Sequence, residues 1–283
     1  MAYTTINDPS AHFQTTLYTG NGSSGHAITN TGNSDLQPDW IWFKETSHGD
    51  NHLTSDSSRG VDEQLYPNAN NSVDTDTNKL ESFDSDGFTI NDGGDVNQSS
   101  RTYVAWQWKA NGGSTTTNDA SATGVGSIDS VYQANTTAGF SIVLHTGTGS
   151  SGTIAHGLGV KPDWILTKNR TDNSTDWANY HVGLSSAEYY IVLNSNAAQV
   201  SGSSVWGDTA PSSTVITLGG ANGKNNASSK LYVSYCFAPI QGYSKFGSYE
   251  GNAADNGNFI YTGFKPAYVM IKGIDSGSRE WFI

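Results

Sequence analysis

The chain has 283 residues, enough for two ordinary domains or three small ones. Only 14% are charged and 35% apolar, yet 8 Trp, 14 Tyr and 10 Phe recur in short runs between turn residues, a pattern that a disordered chain does not carry. The net charge of −12 argues against binding a nucleic-acid backbone, which needs a basic face, and against docking on an anionic bilayer.

In chain order, residues 1–12 read as a short N-terminal arm, with no basic segment followed by an apolar run and so no secretion signal. No stretch approaches the roughly 20 apolar residues of a membrane helix. From Phe13 the chain enters a pattern that returns twice. Phe13-Gln-Thr-Thr-Leu-Tyr-Thr-Gly-Asn-Gly is followed by Pro38-Asp-Trp-Ile-Trp-Phe-Lys44, and Phe140-Ser-Ile-Val-Leu-His-Thr-Gly-Thr-Gly by Pro162-Asp-Trp-Ile-Leu-Thr-Lys168. Lys245-Phe-Gly-Ser-Tyr-Glu-Gly-Asn is followed by Pro266-Ala-Tyr-Val-Met-Ile-Lys272. The far ends correspond as well, Tyr103-Val-Ala-Trp-Gln-Trp with Tyr232-Val-Ser-Tyr-Cys-Phe. Internal repetition of this kind sets the architecture before any local assignment does.

The β-branched and aromatic runs end at Gly, Asn or Ser, and no apolar stripe holds a helical period over three turns. The expected fold is therefore all-β: tandem β-sandwich, jelly-roll-like repeats over 13–110 and 140–240, with a partial third repeat over 241–283. Residues 111–139, opening on Asn111-Gly-Gly-Ser-Thr-Thr-Thr, read as a Gly/Ser/Thr-rich flexible linker. Each unit is expected to close most of its own core.

No catalytic, metal-binding or cofactor-binding set stands out. His48 and His52 are four apart but lie in a loop-like stretch. Asp74-Thr-Asp-Thr-Asn78 opens like a calcium loop and then fails, with Lys79 at the glycine position and Ser85 at the bidentate acid. Asp39 and Asp163 recur in register, but Ala267 takes the third position, so they read as structural residues bonding a neighbouring turn. The glycine-rich turns at Thr19 and Thr146 precede strands, not helices, and read as hairpin turns rather than phosphate loops. Cys236 sits in a strand pattern and reads as a small buried hydrophobe. Trp40, Trp164, Trp106 and Trp108 read as core. Trp42, Trp177 and Trp206, and with them Trp281, are the candidates for stacking a glycan.

The Tyr-Thr-Gly-Asn-Gly, Pro-Asp-Trp-Ile and Tyr-Val-Ala-Trp motifs, with the opening Tyr3-Thr-Thr-Ile-Asn-Asp-Pro-Ser-Ala-His-Phe-Gln-Thr, resemble a repeat family in proteins of marine tailed phages, cyanophages among them. The likeness runs through essentially the whole chain. It implies a virion or tail-fibre-type protein with concanavalin-like sandwich units, and it supplies no catalytic residues. The expectation that follows is a non-enzymatic structural virion protein, assembled in the host cytoplasm and displayed as a tail fibre, spike or head decoration. Its expected partners are other virion proteins and copies of itself, a trimer by analogy with phage appendages. A lectin-like reader of host-surface glycan is the alternative, and a polysaccharide depolymerase the third.

Overall fold

The computed structural model describes residues 3–283. It is all-β and built from antiparallel sheets. The first unit runs β1 (Phe13–Thr19), β2 (His26–Thr29), β3 (Trp40–Glu45), β4 (Leu53–Asp56), β5 (Gly60–Leu65), β6 (Asp74–Thr75), β7 (Leu80–Asp84), β8 (Gly87–Ile90) and β9 (Thr102–Trp108). The second runs β10 (Thr116–Asn118), β11 (Ser130–Asn135), β12 (Phe140–Thr146), β13 (Gly152–Ala155) and β14 (Trp164–Asn169). It continues through β15 (Ala178–His181), β16 (Tyr189–Val192), β17 (Val200–Ser201), β18 (Val215–Leu218) and β19 (Leu231–Phe237). A last hairpin joins β20 (Ile271–Lys272) and β21 (Trp281–Phe282).

The two large sheets follow one plan. The first has the order β1-β9-β3-β4-β5-β6, and the second has β12-β19-β14-β15-β16-β17, extended past β12 by β11 and β10. Registers agree as well: Trp108 lies opposite both Phe13 and Trp40, and Phe237 lies opposite both Phe140 and Trp164. The last hairpin pairs Ile271 with Phe282, as β14 and β15 pair Thr167 with Ala178. Smaller sheets, β2-β8-β7 and β13-β18, cover the outer faces.

The Thr-Gly-x-Gly turns owe their glycines to close approach. In both units the turn docks on the segment before the last strand, Gly22 N donating to Asn97 O (2.9 Å) and Gly149 N to Asn226 O (3.0 Å). A Cβ on Gly20 would run into the Gln98 carbonyl, and one on Gly147 into that of Ala227.

Units one and two each close an outer core of their own, but contrary to the sequence expectation the inner faces of the units share a single core. Strands with both faces covered read as continuous apolar runs, and Trp40-Ile-Trp-Phe is such a run. Ile41 and Phe43 face the outer core with Phe88 and Ile90, while Trp40 and Trp42 face inward. There they meet Phe140, Trp164, Trp177, Tyr235 and Phe237 of the second unit in a single central core. Trp40 stacks on Tyr235 at 4.2 Å between ring centroids. Phe246, Tyr268, Met270 and Trp281 of the last segment pack on the same core.

Residues 111–139 are likewise not a flexible linker. They carry β10, a short helix (Ala120–Thr123) capped by Asp119, and β11, all built onto the second sheet. From β11, Gln133 donates back to Ser57 Oγ (2.9 Å) and Ser58 Oγ (2.6 Å) of the first unit.

Candidate binding site

Most buried polar groups are spent on the frame. Asp39 accepts from the amides of Ala110, Gly112 and Gly113 at 2.7–2.8 Å and from Ser57 Oγ at 2.6 Å, so it anchors the turn leaving β9. The three lysines of the Pro-x5-Lys motif act alike. Lys44 donates to Glu45 O (2.7 Å), Lys168 to Asn169 O (3.0 Å) and Lys272 to Gly273 O (3.1 Å), each tying down the loop after its own strand. Burial pushes the Lys168 ammonium down to about 8, against the pull of Asp176. Cys236 is buried, and burial pushes its thiol up to about 12, which removes the thiolate a nucleophile needs.

At the junction of units one and two, Asp56, Arg59 and Tyr235 form a buried network. Arg59 Nε donates to Asp56 Oδ2 at 2.5 Å, and Tyr235 Oη donates to the same oxygen at 2.7 Å. Burial alone would lower the Arg59 pKa, but Asp56 beside it raises it.

Three of the four tryptophans singled out as glycan contacts lie in the interior, whereas Trp281 is half-buried on the last hairpin. Trp42, Trp177 and Trp206 are at most 2% exposed and do not come together, since Trp206 belongs to the outer core beside β18. A stacking platform must show a face to solvent, and these three do not. His48 and His52 diverge: His48 sits 2.9 Å from Glu45, and His52 accepts a hydrogen bond from Trp42 Nε1 at 2.9 Å. Among the described residues no group of three His, Cys, Asp or Glu is placed to hold a metal ion, and no helix is long and apolar enough to cross a membrane.

A cavity of about 730 Å³ opens where all three units meet. Its floor is the β3–β4 hairpin, with Trp42, Lys44, Thr46 and His52. Trp106 of β9 forms one wall, Leu193–Asn196 a second, and Met270 and Trp281 a third. Apolar walls beside amide, imidazole and charged groups, Lys44 and Glu280 among them, suit an organic or peptide ligand better than a bare ion. Because Trp42 donates to Nδ1 of His52, the neutral ring carries its proton on Nε2. Burial, reinforced by the Lys44 charge, pushes that imidazole down to about 4, so it stays neutral at ordinary pH. Nearby, Arg101 Nη1 lies 2.9 Å from both Glu45 and Asp50. Burial alone would raise the Glu45 carboxyl, but hydrogen bonds with Asp50, Arg101 and Ser47 hold it below its ordinary value. Asp50 is pushed up, first by its hydrogen bond with Glu45 and then by burial.

A family model described as a domain of unknown function, DUF7483, matches residues 8–283. The chain belongs to that family. No curated protein and no solved structure matches it. The DUF7483 match runs across all three units, as does the shared core.

The sequence brought Trp42 and His52 to notice but did not join them, nor did it single out Leu193–Asn196 as part of a site. A signal was present: Asn68-Ala-Asn70 and Asn194-Ser-Asn196 follow equivalent strands.

Proposed function

We propose that this DUF7483 chain is a non-enzymatic structural component of a tailed-phage particle, a fibre, spike or head decoration exposed to the host surface. The observation that carries the reading is the shared central core. Three repeated units fused through one aromatic core, with Asp39, Lys44, Lys168 and the Asp56–Arg59–Tyr235 network spent on holding the frame, make a stiff body suited to display. The net charge of −12 suits a surface that stays soluble at high copy number. Other virion proteins and copies of the same chain are its partners in this reading. Glycan reading ranks below it, because Trp42, Trp177 and Trp206 offer no exposed platform.

Immunogold labelling of intact phage particles with antibody raised against the folded chain tests the proposal. Gold on fibres, tail tip or head supports it. Well-preserved particles that stay unlabelled, beside a positive blot of the infected lysate, contradict it.

A further inference from the structure

The three units meet around a pseudo-threefold arrangement. In each sector the aromatic residue that begins the third-strand motif meets an aromatic near the start of the next unit: Trp40 with Phe140 (5.9 Å), Trp164 with Phe246 (6.3 Å) and Tyr268 with Phe13 (5.7 Å). Two of the three sectors also share a strap. The segment after β5 crosses the β14–β15 hairpin, with Trp177 Nε1 donating to Tyr66 O (3.0 Å), Thr175 N to Asn70 O (3.1 Å) and Val73 N to Arg170 O (2.9 Å). The segment after β16 crosses the β20–β21 hairpin in the same way, through Trp281 Nε1 to Val192 O (3.1 Å), Arg279 N to Asn196 O (3.1 Å) and Gln199 N to Ile274 O (3.0 Å). All three bonds recur at one constant sequence offset on each side.

The third hairpin, β3–β4, has no such strap among the described residues, and the 730 Å³ cavity lies over it. By register, His52 stands where Trp177 and Trp281 stand, Asp50 where Thr175 stands and Thr46 where Arg170 stands. Trp42 fixes the His52 proton on Nε2, which supplies a ring N–H donor like the two indoles. The same Asn that braces the hairpin within its own unit is present too: His52 N donates to Asn68 Oδ1 and Trp177 N to Asn194 Oδ1, both at 3.0 Å.

We propose that this cavity binds an extended polypeptide segment of strap chemistry, an apolar residue followed by Asn-x-Asn. The His52 Nε2–H and Asp50 amide donate to its carbonyls, the Thr46 carbonyl accepts from one of its amides, and its apolar residue enters between Trp106 and Met270. The occupant follows from the two internal straps, which show both the chemistry and the bonding pattern that the hairpin accepts. The proposal does not depend on the virion reading, since it concerns only the kind of segment that the hairpin accepts.

The test adds a synthetic peptide of residues 188–201 to the intact chain and follows indole fluorescence and amide exchange at Thr46–Leu53. The expected result is saturable binding with at least tenfold slower exchange at Asp50, and no response to a scrambled peptide. His52→Ala, checked as folded by its circular dichroism, weakens binding about five- to tenfold, as losing one hydrogen bond should. His52→Gln, which keeps a donor, recovers part of the loss. No binding at millimolar peptide, equal binding of the scrambled peptide, or an unchanged affinity in His52→Ala overturns the proposal.

Discussion

The junction between units one and two and the sector between units three and one are built from matching positions, yet only the first is filled. In the first, Trp40 stacks on Tyr235, the Asp56–Arg59–Tyr235 network is buried beneath it, and a strap ties Tyr66–Val73 to the next hairpin. In the second, Tyr268 meets Trp106 edge-on at 5.9 Å, and a cavity replaces the strap. Equivalent sequence therefore yields unequal cover, because a strand motif fixes which face points inward but not whether another segment arrives to cover it. The filled sector should behave as interior, and the open one as a surface held in a core-like shape.

The largest difference should come from the ion network. Arg59→Ala leaves Asp56 buried without its partner, so a loss of about 3–5 kcal/mol is expected in denaturant unfolding. Because the central core is common to the units, the wild-type chain should melt in one calorimetric transition and the variant in one transition at lower temperature. Two separated transitions in the wild type would mean that the units fold independently.

Next is a pH effect centred on His145 of unit two. His145 stacks on Tyr232 at 4.9 Å and donates to Asn225 O at 2.9 Å, and burial pushes its imidazole down to about 4. The unfolded chain takes up a proton near the ordinary histidine value, so the contribution is complete above about pH 6.5 and is lost as pH falls towards 4. The total loss is up to about 3 kcal/mol. In unit one the matching residue is Tyr18, stacked on Tyr103 at 5.2 Å and donating to Val96 O at 2.8 Å. His145→Tyr should therefore make the stability profile between pH 6.5 and 4 shallower, measured by urea midpoints, with buried His52 and His156 supplying the slope that is left.

Smaller still is a paired substitution at matching positions of β9 and β19. Tyr235→Phe removes a donor to the buried Asp56 and should cost about 1–2 kcal/mol. Trp106→Phe, beside the cavity, should cost less than about 1 kcal/mol. Equal costs would erase the distinction between the two sectors.

Much of the fold could be read from the residues. The Pro-x5-Lys motif marks equivalent strands, β3, β14 and β20, and the structure gives the reason, since each lysine binds the carbonyl that follows it. The shared core could not be read, because Trp40-Ile-Trp-Phe has the same pattern whether its second face meets its own unit or a neighbour. Residues 111–139 have linker composition, and only their contacts reveal order: Asp39 collects the Gly112 and Gly113 amides, and Gln133 reaches Ser57 and Ser58. Trp177 and Trp206 look like sugar platforms beside Asn, Asp and Gly, yet both are interior. Of the candidate site, Trp42 and His52 were visible individually, but their joining needed the β3–β4 register.

Amide hydrogen exchange on the intact chain tests the central claim most directly, because it reads the three sectors side by side. The account predicts that the strap amides Val73, Thr175, Gln199 and Arg279 exchange slowly and that the Asp50 amide, at the matching place on the open hairpin, exchanges at least tenfold faster. Similar rates at Asp50 and Thr175, or fast exchange at Val73 and Thr175, would contradict it.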